Sequence, residues 1–342
     1  MRKVVLILLV FTFFIATFTT SSARADYLMN HVGTITTSGN YPWGVAIGEA
    51  ISKYADGVTC KTRAVGAGGL TLPLIQRGQA NMGSALGINL IYDAWNGFRN
   101  FEKLGPNKKL RLLVVREIIY APLWVTVSSG IKCFDDLKGE KINRGNPGSS
   151  AEAYALAIED TLHNGVVWSM GSTSKAKADI SDRRIDGYWR SSPALQPGPN
   201  YGLKFDASAL ELNSFIPLTV CGLTENEKNT VQAKNPWIMF SKIPAGRFVD
   251  RPEMGEFWLP KNATMSAISS DVPIDVQYKI AKAIFEHWKE ICDAYPPSRA
   301  WDPLKDMFQL EGYGIPLAPG VVKYAKEKGI DVPSTMIPPE YK

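Results

Sequence analysis

The sequence is poor in the residues that most often perform catalysis or bind metal ions. Its three histidines, His31, His163 and His287, lie far apart and show none of the spacings of metal ligands. The zinc-protease motif H-E-x-x-H, the nucleophile elbow G-x-S-x-G and a glycine-rich phosphate loop with lysine are all absent. The residues therefore predict a binding protein rather than an enzyme, with no cofactor and no metal ion.

Cysteine is scarce as well. The chain has four cysteines, Cys60, Cys133, Cys221 and Cys292, and none forms a C-x-x-C pair, which argues against a redox or zinc site. Three complete disulfide pairings are possible, and the spacing does not choose among them. Buried free thiols or one structural bridge is the favoured interpretation.

Only one long hydrophobic run occurs, and it lies at the N-terminus. Arg2 and Lys3 precede an apolar stretch from Val4 to about Thr20, and Ala23-Arg24-Ala25 supplies the small residues of a cleavage site. This arrangement predicts a secretory signal peptide over residues 1–25 and export to the periplasm. A retained membrane anchor is the alternative, but the run is marginal for the roughly 20 residues of a spanning helix.

A strong excess of charge of one sign is also absent. The formal net charge of +5 falls to about +2 without Arg2, Lys3 and Arg24 of the signal peptide. Basic residues are scattered among acidic ones, which is typical of a solvated surface and predicts no nucleic-acid partner. The chain of 342 residues exceeds the roughly 250–300 that one core supports, so we expect two lobes in a monomeric protein.

Beyond the signal peptide, short apolar strands alternate with amphipathic helices, as is typical of α/β proteins with largely parallel sheets. One long amphipathic helix is predicted from 276 to 291. Strands are predicted at 32–36, 60–65, 81–86, 110–115, 140–143, 166–170, 185–189 and 203–207.

Two mid-chain stretches, 121–127 and 257–269, are predicted to cross between the lobes. Two crossings rather than one flexible tether indicate a hinge. The predicted boundaries are 26–120 with 258–342 for lobe I and 121–257 for lobe II.

Glycine- and serine-rich turns open three of the predicted helices. They lie at 38–43, 66–69 and 145–151, at strand ends where open α/β sheets bind ligands. A helix N-terminus carries unpaired N–H groups and partial positive charge, so it can hold a carboxylate. Ser149 and Glu152 have the spacing of a capping box. A plain turn is the alternative for any single one, but their recurrence in both lobes favours a ligand site.

Ordered motifs along the chain resemble those of the TAXI proteins, the TRAP-associated extracytoplasmic immunogenic solute receptors. The resemblance covers most of the chain after the signal peptide; each motif alone is weak, whereas the ordered set is fairly specific. The matching segments are Tyr41-Pro42-Trp43-Gly44, the turn at 66–69, Gln76 to Asn81, Tyr92 to Gly97, Ser129 to Lys132, Asp136 to Gly139, Gly145 to Glu152, Arg184 to Gly187, Ile243 to Gly246 and Ile315 to Gly320.

The resemblance implies a type II periplasmic-binding-protein fold, with two α/β lobes joined by a hinge, and delivery of a small organic anion to a TRAP permease. Relatives take glutamate-like or other organic acids. This sequence departs from the family pattern where Gly68, Thr71 and Gly87 replace polar residues. The lost side chains would leave volume either for a bulkier or aromatic carboxylate or for core tryptophans.

We predict that lobe I binds the ligand first and that the amides of 149–151 then close over its carboxylate. Trp43 and Trp189 are favoured for ligand contact, with core packing as the alternative. Arg190 either pairs with the carboxylate or forms a surface ion pair. The predicted ligand-binding residues are Ser38, Gly39, Asn40, Tyr41, Trp43, Gly66, Gly68, Gly69, Gly87, Gly148, Ser149, Ser150, Ala151, Trp189 and Arg190.

Two other functions stay open at this point. One is a periplasmic enzyme that uses the same fold with catalytic residues in the cleft. The other is a receptor that passes its ligand state to a signalling partner instead of a permease.

Overall fold

The computed structural model describes residues 26–36, 38, 40–66, 68–190, 192–193 and 202–341. The predicted signal peptide lies outside these residues. Among them, no helix has the length and hydrophobicity required to cross a bilayer. Two β-sheets divide the molecule, and we use lobe I for the larger sheet with its helices and lobe II for the smaller one.

Lobe I begins with three strands that alternate with three helices. Its sheet has the strand order β2-β1-β3-β12-β4-β9, and β11 also pairs with β12. The first three strands are parallel, whereas β12 is antiparallel to both β3 and β4. The elements are β1 (Tyr27–Gly33), α1 (Tyr41–Tyr54), β2 (Val58–Ala64), α2 (Gly68–Gln76), β3 (Met82–Gly87), α3 (Ile88–Asn96) and β4 (Leu110–Tyr120).

Lobe II has a sheet of five short strands in the order β10-β5-β8-β6-β7. The elements that follow β4 along the chain are β5 (Leu123–Thr126), β6 (Lys141–Asn143), α4 (Ser150–Leu162), β7 (Val167–Ser169), α5 (Thr173–Ser181), β8 (Gly187–Trp189), β9 (Ser192–Pro193), α6 (Ala207–Asn213), β10 (Leu218–Cys221), α7 (Glu225–Lys234) and β11 (Met239–Ile243).

The chain then returns to lobe I through β12 (Phe257–Ser269) and ends with α8 (Ile274–Glu286), α9 (Trp288–Ile291) and α10 (Pro319–Glu327). Both long strands pass from one core to the other. Strand β12 contributes Leu259 to a lobe II core and Ala263 to the lobe I core. Strand β4 contributes Ile118 to lobe I and Tyr120 to lobe II. The two connections are therefore a pair of hydrogen-bonded antiparallel strands.

The expected two-lobed α/β fold is confirmed, but some predicted elements are wrong. Residues 203–207 are not a strand, because Asp206 accepts hydrogen bonds from the amides of Ser208 and Ala209 and so caps α6. The predicted helix over 276–291 is interrupted at His287, whose ring stacks on Tyr54 of α1. All four cysteines have free thiols.

Candidate functional site

Two of the predicted glycine turns meet where the lobes face each other. The backbone of Gly148, before α4 of lobe II, packs on Gly69 in the first turn of α2 of lobe I. A Cβ atom placed on Gly69 would lie 3.5 Å from the carbonyl oxygen of Gly148 and 3.6 Å from its Cα. The structure thus brings together the turns at 66–69 and 145–151, which are far apart in sequence.

The N-terminus of α3 joins the same region. Ser150 Oγ of α4 donates a hydrogen bond of 2.8 Å to Asn89 Oδ1 of α3. A Cβ atom on Gly87 would lie only 2.1 Å from Ser150 Oγ, so the hydroxyl approaches because residue 87 is glycine. Gly87 therefore acts by permitting this contact between the lobes.

The first turn of α4 is only partly capped. Ser149 Oγ accepts from the Glu152 amide at 3.3 Å, as predicted. The reciprocal bond of the capping box is absent, because the Glu152 carboxylate accepts from the Gly148 amide at 2.6 Å and pairs with Arg144. The amides of Ser150 and Ala151 have no partner within the helix. They are the donors that α4 can offer to an anion.

Asn89 is the buried polar residue at the centre of this arrangement. Its side chain has no solvent exposure, and Nδ2 has no hydrogen-bond partner among the described residues. The N-cap of α3 is Gly87, which has no side chain to bond the first amides of the helix. A buried donor without a partner is costly, so a group that accepts hydrogen bonds would be stabilised here.

A second polar cluster lies at the N-terminus of α1. Asn40 Oδ1 accepts from Arg116 Nη1 at 2.8 Å. The Arg116 guanidinium also binds the neighbouring Glu117 carboxylate and lies 4.2 Å from the centre of the Tyr295 ring. Both charged side chains are almost completely buried. Burial and the Glu117 charge raise the pKa of Tyr295, against the lowering effect of Arg116.

The two clusters are linked through the sheet. Thr264 of β12 pairs with Gly87 of β3 on one side and with Glu117 of β4 on the other. Since adjacent strands lie about 4.8 Å apart, Gly87 and Glu117 are about 10 Å apart across the sheet. The register shifts between Thr264 and Met265, which leaves Arg116 as the extra residue of a bulge. The bulge places two consecutive charges at the lobe boundary.

The tryptophans favoured for ligand contact lie in the core. Trp43 is completely buried and meets the Trp288 ring edge-on at 5.3 Å between ring centres. Trp189 is buried in lobe II and packs against Phe134. Neither ring presents surface to the region between the lobes, so the core alternative holds in this conformation.

The volume expected from the missing polar side chains is filled by protein. A Cβ atom on Gly68 would lie 2.8 Å from Leu90 Cδ1 and 3.4 Å from Leu86 Cδ2. At Gly87 the space is occupied by Ser150 and Asn89. The expectation of extra room for a bulky or aromatic ligand is wrong at both positions.

Arg190 pairs within its own lobe. Its Nε lies 2.8 Å from Oδ2 of Asp206, the N-cap of α6, whose side chain is 8% exposed. This is an ion pair, as one alternative predicted, but with a buried partner. Of the remaining predicted residues, Gly66 accepts from the Thr71 hydroxyl at 3.4 Å, and Ser38 Oγ accepts from the Asn40 amide at 3.2 Å.

Gly39 lies outside the described residues. Tyr41 is half-buried at the start of α1. The sequence analysis missed Asn89, Arg116 and Glu117. Two signals could have found them: Asn89 lies two residues after the end of β3, and an Arg-Glu pair interrupts the mainly apolar strand Leu110–Tyr120.

The chain matches the NMT1-like family over residues 32–329. This protein belongs to the NMT1-like family. The fold of this NMT1-like protein is similar to the folds of several solved structures. XAC2383 from Xanthomonas citri, bound to chloride ion, has a TM-score of 0.52 at 12% identity, with 88% of this chain and 99% of that chain covered.

Two further structures are similar at lower TM-scores. The ligand-binding core of GluR0 from Nostoc punctiforme, in complex with L-glutamate, has a TM-score of 0.45 at 11% identity, with 81% of this chain and 100% of that chain covered. An ancestral arginine-binding protein bound to arginine has a TM-score of 0.45 at 15% identity, with 80% and 98% covered. The described residues form two lobes of mixed α/β structure, as predicted.

Proposed function

We propose that this NMT1-like protein is the periplasmic substrate-binding protein of a TRAP transporter of the TAXI type. It binds a small organic anion between its lobes and delivers it to the membrane permease subunits. The observation that carries the proposal is the meeting of the N-termini of α3 and α4, one from each lobe, around the buried and unpartnered Asn89 Nδ2.

The donors at this place suit a carboxylate. The amides of Ser150 and Ala151 come from lobe II, and the amides of the first turn of α3 and Asn89 Nδ2 come from lobe I. Each helix N-terminus adds partial positive charge. A carboxylate with two oxygens can accept from both sides at once, so the ligand binds better when the lobes are closed.

The packing limits the size of the ligand. Because Leu90 and Ser150 occupy the space next to Gly68 and Gly87, a small aliphatic acid fits the proposal better than an aromatic one. The pairs Arg116–Glu117 and Arg190–Asp206 already satisfy their own charges. The ligand charge is therefore bound by main-chain and amide donors, without a free cationic side chain in this proposal.

The two other functions predict different results. An enzyme on this fold would convert a bound acid, and a product would be detected by mass spectrometry. A sensor would bind the acid without supporting uptake when it is combined with TRAP permease subunits in proteoliposomes. Binding without turnover, together with uptake that requires the protein, is the result expected here.

Replacing Asn89 with aspartate tests the site. The change keeps the shape but places a negative charge beside the donors, so binding of an anion should be lost. Thermal-shift assays with acetate, succinate, L-glutamate and benzoate identify a ligand, because binding at a hundredfold excess over Kd stabilises the fold by about 2.7 kcal/mol. Calorimetric titration of the best acid then compares the variant with the wild type.

The control is Asn107→Asp. Asn107 is also a buried asparagine of lobe I whose Nδ2 has no partner among the described residues, but its Oδ1 accepts from the Lys109 amide instead of from a side chain of α4. Asn107→Asp should keep the affinity. Unchanged affinity in Asn89→Asp would place the ligand elsewhere.

A further inference from the structure

A second contact between the lobes lies one helical turn beyond the proposed ligand site. On α3, Asp93 follows Asn89 by four residues, and on α4, Tyr154 follows Ser150 by four residues, so each pair shares a helix face. Between the two helices, Asn89 and Ser150 are joined directly by a hydrogen bond. One turn further along, Asp93 and Tyr154 are joined through Arg99 and Trp237.

The second contact is a stack of large side chains. Asp93 is buried and binds the Arg99 guanidinium through both oxygens. The guanidinium lies 3.8 Å from the centre of the Trp237 ring. Trp237 in turn stacks on Tyr154, with ring centres 5.5 Å apart and planes 22° apart. Trp237 and Tyr154 belong to a lobe II core. Asp93 lies in α3 of lobe I, and Arg99 lies just after that helix.

The backbone at Arg99 is strained. Its φ angle is 49°, in the left-handed region that residues other than glycine rarely adopt. Such strain persists only where surrounding contacts hold it, and it is frequent at switch regions and ligand clamps. The contacts of Arg99 with Asp93 and Trp237 are the ones that hold it here.

The charge of Asp93 depends on the same neighbours. Burial raises the pKa of Asp93 to about 6, although the charge and hydrogen bonds of Arg99 act to lower it. The Arg99 cation is therefore the group that keeps a buried carboxylate ionised at neutral pH. The Trp237 ring, over which this cation lies, stabilises the same charge through a cation–π contact.

We propose that Asp93, Arg99 and Trp237 form a latch between the lobes, in which Arg99 is a positioning residue that aligns α4 with α3 and thereby places the Ser150 and Ala151 amides at the ligand site. The latch rests on the proposed function for its role in binding. Its effect on lobe closure does not depend on any ligand. Because the latch stabilises the closed state, ligand binding has to supply less of the free energy of closure.

The test is small-angle X-ray scattering of the purified protein without added small molecules. Arg99→Met keeps the length of the side chain but removes the charge and the fork of donors. We expect it to shift the scattering toward a larger radius of gyration. Unchanged scattering would overturn the latch.

Arg111→Met is the matched control. Arg111 also binds a carboxylate through two nitrogens, with Arg111 Nε 2.6 Å from Glu340 Oε1 and Nη2 2.9 Å from Oε2. Its guanidinium lies 5.7 Å from the centre of the Trp95 ring. All three residues belong to lobe I, so loss of this pair should leave the radius of gyration unchanged.

Arg99→Lys covers the case in which Arg99→Met does not fold. Lysine keeps the charge, but it cannot bind Asp93 through two nitrogens and lie flat on Trp237 at the same time. We expect the scattering to shift in the same direction as for Arg99→Met, by a smaller amount. An Arg99→Lys protein with the wild-type radius of gyration would overturn the latch as well.

Titration with L-glutamate separates the latch from the proposed function. If the wild type binds this probe, Arg99→Met should weaken binding roughly tenfold, and Arg111→Met should not. If no acid of the thermal-shift panel binds while Arg99→Met still opens the lobes, the proposed function fails and the latch stands. Weaker binding without any change in scattering would assign Arg99 to ligand contact and overturn the latch.

Discussion

Lobe I and lobe II share one pattern of alternating strands and helices, but they differ in how they bury their side chains. Lobe I has one continuous hydrophobic core, crossed by strands of 11 and 13 residues. The strands of the lobe II sheet have three or four residues each. Alternate residues of these strands enter two separate cores, one on each face.

The difference shows how each lobe obtains its stability. Lobe I relies on long paired strands and a large aliphatic core. Lobe II relies on aromatic side chains, such as Trp124, which packs on Phe205 and Phe248. Lobe I is therefore suited to hold the ligand site in place. Lobe II carries α4, whose first turn moves with the lobe in the proposed closure.

The largest effect is expected from removal of a core tryptophan. Trp43→Ala should lower the free energy of unfolding by about 3–5 kcal/mol, because a large cavity would remain in the continuous core. Trp189→Ala should fall near the lower end of that range, because the smaller lobe II core can relax around the gap. Urea unfolding measures both. A stable Trp43→Ala protein that has lost anion binding would instead restore Trp43 as a ligand contact.

The second-largest effect is a loss of folding stability at acid pH. Burial lowers the pKa of His31, in the lobe I core region, to about 4. The unfolded chain takes up a proton near pH 6.5 and the folded protein does not, so stability is complete above that pH and is lost as the pH falls toward 4. The shift corresponds to about 3 kcal/mol.

Urea unfolding between pH 7.5 and 4.5 checks this effect. His31→Asn cannot titrate, so it should flatten the pH dependence over this range. His163→Asn, at the exposed C-cap of α4 in lobe II, should keep the wild-type profile. If His31→Asn loses as much stability at acid pH as the wild type does, other groups cause the loss.

The smallest effect is expected at the helix caps of lobe II. Ser149→Ala should cost about 1 kcal/mol, because one capping hydrogen bond is lost. Thr224→Ala should cost at least as much, since Thr224 and Glu227 form a complete capping box. Thermal unfolding of both variants makes the comparison. A much larger loss in Ser149→Ala would mean that this hydroxyl also supports the contact with lobe I.

Much of the fold could be predicted from local pattern. The return crossing between the lobes was predicted at 257–269, and strand β12 lies at Phe257–Ser269. The glycine turns at 66–69 and 145–151 were recognised from composition, and their meeting was expected from strand-end geometry. Two local predictions failed, at 203–207 and at His287. In both places a specific side-chain contact accompanies the departure from periodicity: Asp206 caps the helix that follows it, and His287 stacks on the distant Tyr54.

The proposed ligand site was predicted only in part. The amides of α4 follow from the helix start at Ser150, which Ser149 signals. Asn89, Arg116 and the stack of Arg99 on Trp237 depend on residues far apart in the chain. No local rule places Arg116 in a bulge beside Asn40, because the register of β4 against β12 is set by packing along both strands.

The sequence by itself determined the alternation of strands and helices, the two lobes and the glycine turns that open helices, because periodicity and turn chemistry act between neighbours in the chain. Tertiary structure decided which turns meet, that Trp43 and Trp189 lie in the cores, and that Leu90 and Ser150 fill the space beside Gly68 and Gly87. These outcomes depend on close packing between distant segments, where differences of a single atom decide what fits.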